Sequence, residues 1–159
     1  MNIRPILEHE LSFLEEMLLE ALFVEVGQSK FPKSILKDPS LKRYFDAFGS
    51  SKMDVCLVAV HHQDLVGVVW GRLFTEKEKG YGFVDIRTPE LSMSVKETFR
   101  GRGFGSALIN EIIQSYQLIG IKSISLSVHK NNRAFKLYTT LGFTVVHEET
   151  DSVIMKKMI

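Results

Sequence analysis

The sequence predicts an α/β domain in which strands and helices build one mixed sheet. Segments whose apolar residues recur with a helical period are interleaved along the chain with segments in which apolar and polar residues alternate. Between residues 91 and 128, a strand, a helix and a second strand follow one another, an order that favours a right-handed crossover between parallel strands. The chain has 159 residues and no repeat, linker or low-complexity stretch, so we expect a single domain over residues 1–159.

Composition disfavours several classes of protein. The 20 Lys and Arg residues balance 19 Asp and Glu residues, and a net charge of +1 argues against binding nucleic acid or membrane through bulk charge. The single cysteine, Cys56, cannot form an internal disulfide, and the five histidines show no metal-ligand spacing, so no metal site is predicted. No apolar run approaches the ~20 residues of a membrane span. The charged first ten residues lack the apolar core of a signal peptide, so cytoplasmic location is the default expectation.

The first third of the chain predicts one strand and several helical pieces. Residues 2–6 form the strand, and leucines spaced three or four residues apart predict an amphipathic helix over residues 9–23. Residues 32–51 look helical in pieces. Within them Asp38 is placed to cap a helix that carries Pro39 in its first turn.

The central segment predicts a hairpin and a further strand. Two apolar runs, residues 55–60 and 65–74, are separated by His-His-Gln-Asp and read as buried antiparallel strands. Residues 75–89 form a charged loop, with a partial strand at residues 81–86. Apolar residues then alternate with serines over residues 91–95, which is typical of a half-exposed strand.

The last third predicts two helices and three strands. Gly120 ends the first helix and Gly142 ends the second. The predicted elements are a helix with its apolar stripe at 108–116, a strand at 123–128, a helix at 131–141 and strands at 143–147 and 153–156.

Residues 100–105, Arg-Gly-Arg-Gly-Phe-Gly, join a strand to a helix and predict an anion site. Glycine allows positive φ and leaves room for backbone N–H groups to converge on a phosphate at the start of a helix. The Gly-Lys-Ser/Thr of a P-loop is absent, the third glycine of a dinucleotide fingerprint falls on Ser106, and an RNA-binding motif fails after Gly105. A glycine-rich turn without a ligand is the remaining alternative.

Two motifs resemble those of the GNAT superfamily of N-acetyltransferases. Val95 to Leu108 matches V-x-x-x-x-R-x-x-G-x-G-x-x-L, which resembles the acyl-CoA-binding motif of that superfamily. Asn131 to Phe143 matches a second motif, N-x-x-A-x-x-L-Y-x-x-x-G-F, in the same order along the chain. The resemblance implies a twisted, mostly antiparallel sheet of six to seven strands with a splayed parallel central pair, flanked by about four helices.

The resemblance also implies a binding site for acetyl-CoA as cosubstrate. The backbone of Met93, Ser94 and Val95 would pair with the pantetheine arm, and Asn131 would bond to it, with a helix N-cap role at Asn131 or Asn132 as the alternative. The pyrophosphate would lie on the loop and helix start formed by Arg100, Gly101, Arg102, Gly103, Phe104, Gly105 and Ser106.

Two residues carry the chemistry that the resemblance implies. Tyr138 matches the motif tyrosine proposed as general acid toward the departing thiolate; the alternative is a core aromatic on its helix. Glu90 begins the strand before the glycine loop, where family members often place a carboxylate, and is our candidate general base; the alternative is a solvated acid at the end of a strand. Asp85, His129 and His61 are weaker candidates.

These residues lead us to expect an enzyme that transfers the acetyl group to a primary amine by direct attack in a ternary complex. A non-catalytic acyl-CoA-binding or sensing domain and a small RNA-binding domain are the alternatives. We expect a small-molecule or peptide amine as acceptor, no nucleic acid and no membrane; a homodimer is left open. The acceptor side would be built from residues 23–51 and 75–89, where Glu76, Glu78 and Asp85 favour a cationic amine.

Overall fold

A seven-stranded sheet runs through the molecule and carries helices on both faces. The structure is a computed structural model that describes residues 1–159. The strands are β1 (Asn2–Pro5), β2 (Val55–His61), β3 (Asp64–Arg72), β4 (Glu90–Val95), β5 (Ser123–His129), β6 (Thr144–Glu148) and β7 (Ser152–Met158). The helices are α1 (Ser12–Ala21), α2 (Pro39–Lys42), α3 (Phe104–Leu118) and α4 (Ala134–Thr140), with 3-10 turns at Glu8–Glu10, Lys33–Lys37 and Glu97–Phe99.

The strand order is β1-β2-β3-β4-β5-β7-β6, and every neighbouring pair is antiparallel except β4 and β5. The predicted mixed sheet with one parallel pair is therefore confirmed. The β4–α3–β5 crossover supplies that pair, because parallel neighbours need a long connection between them.

Two apolar cores lie on opposite faces of the sheet. On one face, α1 and the residues around α2 pack against Val58, Val68 and Trp70. On the other, α3 and α4 pack against alternate residues of the same strands, such as Leu57 and Val69. Strands covered on both faces read as continuous apolar runs, which explains the sequence of β2 and β3.

Strands β4 and β5 pair at one position only, Glu90 opposite Ser125. The Ser125 N–H donates to the Pro89 carbonyl at 3.0 Å, and beyond this point the strands diverge toward their carboxyl ends. The predicted splay is therefore present. Backbone beyond the single bridge faces a gap rather than a neighbouring strand, which makes this gap the natural place for a ligand.

Several local predictions were wrong. Residues 81–86 form no strand. Strand β4 is not half-exposed, because helices cover both faces and Ser94 is as buried as Leu91. Helix α4 begins at residue 134 rather than 131, since the Asn132 side chain accepts the Ala134 N–H at 2.9 Å and starts the helix there. No helix has the length and apolar character needed to cross a membrane.

Candidate functional site

A cleft of about 1270 Å³ lies where β4 and β5 diverge. Its walls come from β4, the segment after α1, the glycine loop, the end of β5 and the start of α4. It is lined by all but two of the predicted site residues, namely Glu90, Met93, Ser94, Val95, Arg100, Gly101, Gly103, Gly105, Ser106, Asn131 and Tyr138. The fold therefore brings together residues that are up to 48 positions apart in the sequence.

The glycine loop presents unpaired backbone donors to the cleft. Gly101 and Gly103 have φ values of 74° and 84°, a left-handed conformation that glycine adopts without strain. The six consecutive N–H groups from Gly101 to Ser106 donate to no acceptor within the protein. They lie at the N-terminus of the 15-residue helix α3, whose dipole adds positive potential. This arrangement, called the cradle below, has the donors and the positive potential that a phosphate or pyrophosphate group requires.

Two residues of the glycine loop, Arg102 and Phe104, do not line the cleft. Phe104 is 5% exposed and packs edge-on against Phe99 and His61 in the core. The Arg102 guanidinium lies 5.3 Å from the centroid of the Phe99 ring. Their predicted contribution is that of the loop backbone, and their N–H groups have no acceptor within the protein.

The Arg100 side chain is engaged within the protein. Its Nε donates to the Val95 carbonyl at 2.8 Å and its Nη2 pairs with Glu20 at 3.0 Å. These contacts tie the loop to the end of β4 and to α1. Arg100 therefore positions the loop in this structure, rather than presenting a free guanidinium to a phosphate.

Asn131 belongs to a polar cluster at the rim of the cleft. Its Nδ2 donates to Glu25 at 3.1 Å, while its backbone N–H donates to Nδ1 of His129 at 3.0 Å. His129 also stacks on Phe23, with ring centroids 4.2 Å apart. The segment after α1 is thus joined to the end of β5, and the side chain that accepts a backbone N–H at the start of α4 is that of Asn132, not Asn131.

Glu90 is a buried carboxyl group, only 4% exposed, at the base of the cleft. Its Oε1 accepts the Tyr44 hydroxyl and the Gly82 N–H, both at 2.7 Å. Its Oε2 is buried and has no hydrogen-bond partner. Burial raises the pKa of Glu90 to about 7, against smaller lowering contributions from the two hydrogen bonds. The idea of a solvated acid at the end of the strand is wrong.

The loop at residues 80–82 encloses this carboxyl group because glycine allows close approach. A Cβ added at Gly82 would lie 2.6 Å from the backbone of Leu126, and one at Gly80 would overlap Oε2 of Glu90. Ser125 Oγ donates to the Gly82 carbonyl at 2.7 Å and holds the loop on β5.

Tyr138 is 7% exposed, lines the cleft and packs edge-on against Phe143 at 5.7 Å. Its hydroxyl makes no hydrogen bond within the protein, and burial raises the pKa of Tyr138 to about 12. The Tyr138 ring is part of the core, as the alternative interpretation predicted, and the same residue also lines the cleft with an unpaired hydroxyl.

The acidic residues expected on the acceptor side do not line the cleft. Glu76 and Glu78 are exposed on the loop before Gly80, and Asp85 lies 4.0 Å from Lys156. The acidic residues that line the cleft are instead Glu16, Glu20, Glu25, Glu90 and Glu97.

The sequence analysis missed Tyr44, Gly82, Glu25 and Phe23 as individual site residues. The sequence indicated them only as members of the expected acceptor segments. Their individual roles depend on contacts with residues that are distant in the sequence. No group of three or more His, Cys, Asp or Glu residues is arranged to hold a metal ion.

Comparison with known proteins identifies the type of fold and family. The model of the acetyltransferase (GNAT) family matches residues 15–143. The chain is 29% identical over 100 residues to the uncharacterized N-acetyltransferase YycN of Bacillus subtilis (strain 168). That match covers 62% of this chain and 58% of YycN, so it spans little more than half of the relative.

Solved structures share the whole fold at low identity. The PaiA N-acetyltransferase of Thermoplasma acidophilum, in complex with coenzyme A, superposes with a TM-score of 0.76 at 20% identity over 99% of this chain and 98% of that one. A phosphinothricin acetyltransferase of Sinorhizobium meliloti, in complex with acetyl-CoA, gives a TM-score of 0.72 at 16% identity over 99% and 88%.

Proposed function

Because the chain belongs to the acetyltransferase (GNAT) family, we propose that it transfers an acetyl group from acetyl-CoA to a primary amine by direct attack in a ternary complex. The observation that carries this proposal is the buried carboxyl group of Glu90 in the same cleft onto which the unpaired amides of the glycine loop open. An anion cradle and a group that can take up a proton near neutral pH are the two elements this reaction needs.

The residues of the cleft fit acetyl-CoA. The N–H groups of Gly101 to Ser106 would hold the pyrophosphate, because six unpaired donors at a helix start match its oxygens. The edge of β4 at Met93, Ser94 and Val95 would carry the pantetheine arm in the gap that β5 leaves open. Acetyl-CoA supplies an acyl thioester, whose carbonyl carbon the amine attacks and whose thiolate departs.

Glu90 takes the proton that the amine loses on attack. A carboxyl group with a pKa near 7 is largely ionised at slightly alkaline pH and still basic enough to accept a proton. Its Oε1 already accepts from two donors, so the proton would be carried on Oε2, which lies against the backbone of Gly80.

Tyr138 assists the thiolate by donating a hydrogen bond to the sulfur. A pKa of about 12 lies ~3.5 units above that of an ordinary thiol, so full proton transfer would be uphill by about 5 kcal/mol. A hydrogen bond to the developing negative charge needs no such transfer and still stabilises the transition state. The unpaired Tyr138 hydroxyl supports this role.

The acceptor reaches Glu90 past the segment that follows α1. Phe23, Phe31 and Leu41 supply apolar lining to that side, and Glu25 supplies a carboxylate. These side chains favour a cationic amine with an apolar body, in a small molecule or at the end of a peptide.

An acetylation screen tests the proposal. Purified protein is incubated at pH 7.5 with acetyl-CoA and each of a panel of amines, such as phenethylamine, spermidine, lysine and a short peptide. The release of CoA is then followed. We expect turnover of at least one amine and its loss in Glu90→Gln. Calorimetric binding of acetyl-CoA with no turnover of any amine would favour the non-catalytic sensing domain instead.

A further inference from the structure

The fold treats the two oxygens of the Glu90 carboxyl group differently. Oε1 accepts one hydrogen bond from a side chain, the Tyr44 hydroxyl, and one from a backbone, the Gly82 N–H. Oε2 is also buried, lies against the backbone of Gly80 and accepts none. Buried polar atoms are rarely left without a partner, so such an atom in a residue that lines the cleft requires a functional explanation.

Tyr44 is itself held firmly by the sheet. Its hydroxyl accepts the Tyr81 N–H at 2.7 Å while donating to Glu90. Its carbonyl accepts the Trp70 indole N–H at 3.0 Å, and its ring packs edge-on against Phe74 at 5.1 Å. With the ring and the carbonyl of Tyr44 held in place and the Tyr81 N–H donating to its hydroxyl, that hydroxyl donates toward Oε1.

We propose that Tyr44 is a positioning residue for Glu90: it holds the carboxyl group at the base of the cleft and keeps Oε1 occupied, so that a proton taken from the acceptor amine is carried on Oε2. The proposal rests on the function proposed above. In the forward direction the amine forms its N–C bond, the C–S bond of the thioester breaks and the thiolate departs, and the proton that the amine releases passes to the Glu90 carboxylate, where it is carried on Oε2. Tyr44 keeps its own proton throughout, and Glu90 ends as a neutral acid whose Oε1 still accepts from Tyr44 and Gly82.

No charged side chain competes with Tyr44 for the carboxyl group. Arg72, opposite Glu90 on β3, is paired with Asp54 at 2.9 Å. From β5, Ser125 faces the loop and donates to the Gly82 carbonyl. Glu90 forms no ion pair, so Tyr44 is the only side chain that donates to it.

The effect of Tyr44 on the acidity of Glu90 has a definite sign. Burial disfavours the carboxylate, and the Tyr44 hydrogen bond favours it, so that bond lowers the pKa of Glu90 below what burial alone would produce. Tyr44 cannot act as the acid itself, because burial and the neighbouring Glu90 raise its own pKa well above 10. Removing its hydroxyl therefore raises the pKa of Glu90.

The test measures the Glu90 carboxyl group directly, without a substrate. Carboxyl ¹³C resonances are titrated in protein labelled at glutamate, and the Glu90 signal is assigned by its loss in Glu90→Gln. Tyr44→Phe should move its titration midpoint upward by about one pH unit, the size expected for one hydrogen bond to a charged group. Tyr81→Phe is the matched control, since the Tyr81 hydroxyl contacts only Ser40 and the Glu90 network uses its backbone N–H.

A second variant of Tyr44 guards against a folding defect. Site-specific 3-fluorotyrosine at Tyr44 keeps the shape of the ring and makes the hydroxyl a stronger donor, so the Glu90 midpoint should move downward. With an amine that is turned over, the acidic limb of kcat/KM should follow both shifts while the acetyl-CoA Kd stays unchanged. A Glu90 midpoint within 0.2 pH unit of wild type in both Tyr44 variants would overturn the positioning role. If the Glu90 midpoint shifts as expected in both Tyr44 variants but no amine is turned over, only the proposed function would be overturned.

Discussion

Replacing Glu90 with glutamine separates the chemical role of this carboxyl group from its effect on stability. The amide has nearly the same shape, and its oxygen can still accept the hydroxyl of Tyr44 and the N–H of Gly82. What it loses is the ability to take up a proton. We expect kcat to fall at least tenfold, since removal of a general base typically costs about a hundredfold or more.

The same substitution should change the pH dependence of stability. The pKa of Glu90 is about 7 in the folded protein against 4.5 for an ordinary glutamate. Between these values the folded state holds a proton that the unfolded state has released, so the free energy of unfolding falls as pH rises through this window. The total loss in the free energy of unfolding is roughly 3 kcal/mol and is complete above about pH 8.

Glu90→Gln removes this decline. The free energy of unfolding of the variant minus that of wild type should rise by roughly 3 kcal/mol from pH 4.5 to pH 8.5. For a chain of this size, that corresponds to a rise of about 6–12 °C in the difference between their melting temperatures. All other titrating groups are common to the two proteins and cancel in the difference. Glu111→Gln, on the exposed surface of α3, is the control and should change neither kcat nor this difference.

Two outcomes would refute the reasoning. A kcat within about threefold of wild type, roughly 0.7 kcal/mol in barrier, would show that the base is another group. The second outcome is a difference in melting temperature between wild type and Glu90→Gln that stays the same at every pH. It would show that Glu90 titrates as an ordinary exposed carboxylate and that its burial has no energetic consequence.

Three further substitutions test other parts of the cleft. Tyr138→Phe should lower kcat tenfold or more at unchanged acetyl-CoA affinity. Its control, Tyr116→Phe, loses a partly buried hydrogen bond to Met53 outside the cleft and should lower the melting temperature but leave kcat unchanged. An unaltered kcat in Tyr138→Phe would remove its hydroxyl from the mechanism. Gly103→Glu should abolish acetyl-CoA binding in calorimetry. Gly120→Glu, at a glycine with the same φ of 84° at the far end of α3, is its control and should bind acetyl-CoA normally. Equal affinity for acetyl-CoA in both variants would contradict the phosphate cradle. Gly82→Ala should cost about 1–3 kcal/mol of stability and lower kcat, because its Cβ would displace the loop from Glu90; unchanged values of both would show that this close approach is not needed.

Local sequence was sufficient for most of the elements and for the conformation of the glycine loop. The amphipathic helices, the apolar hairpin and the glycine loop depend on residues within one or two turns of each other, so their patterns are visible in a single sequence. The left-handed φ at Gly101 and Gly103 follows from the same local chemistry, and the structure confirms it. The start of α4 was less visible, because Asn131 and Asn132 offer the same capping group and only the folded backbone distinguishes them.

The environment of each catalytic candidate was decided only by the tertiary structure. The position of Glu90 at the start of a strand was predictable, but its burial depends on Tyr44, 46 residues earlier, and on the approach of Gly82 to β5. Likewise, the sequence placed Arg100 and Phe104 in the loop without indicating that one would pair with Glu20 and the other enter the core. Periodicity reports which face of an element is apolar, whereas the pKa and contacts of a single side chain depend on which distant segments exclude water from it.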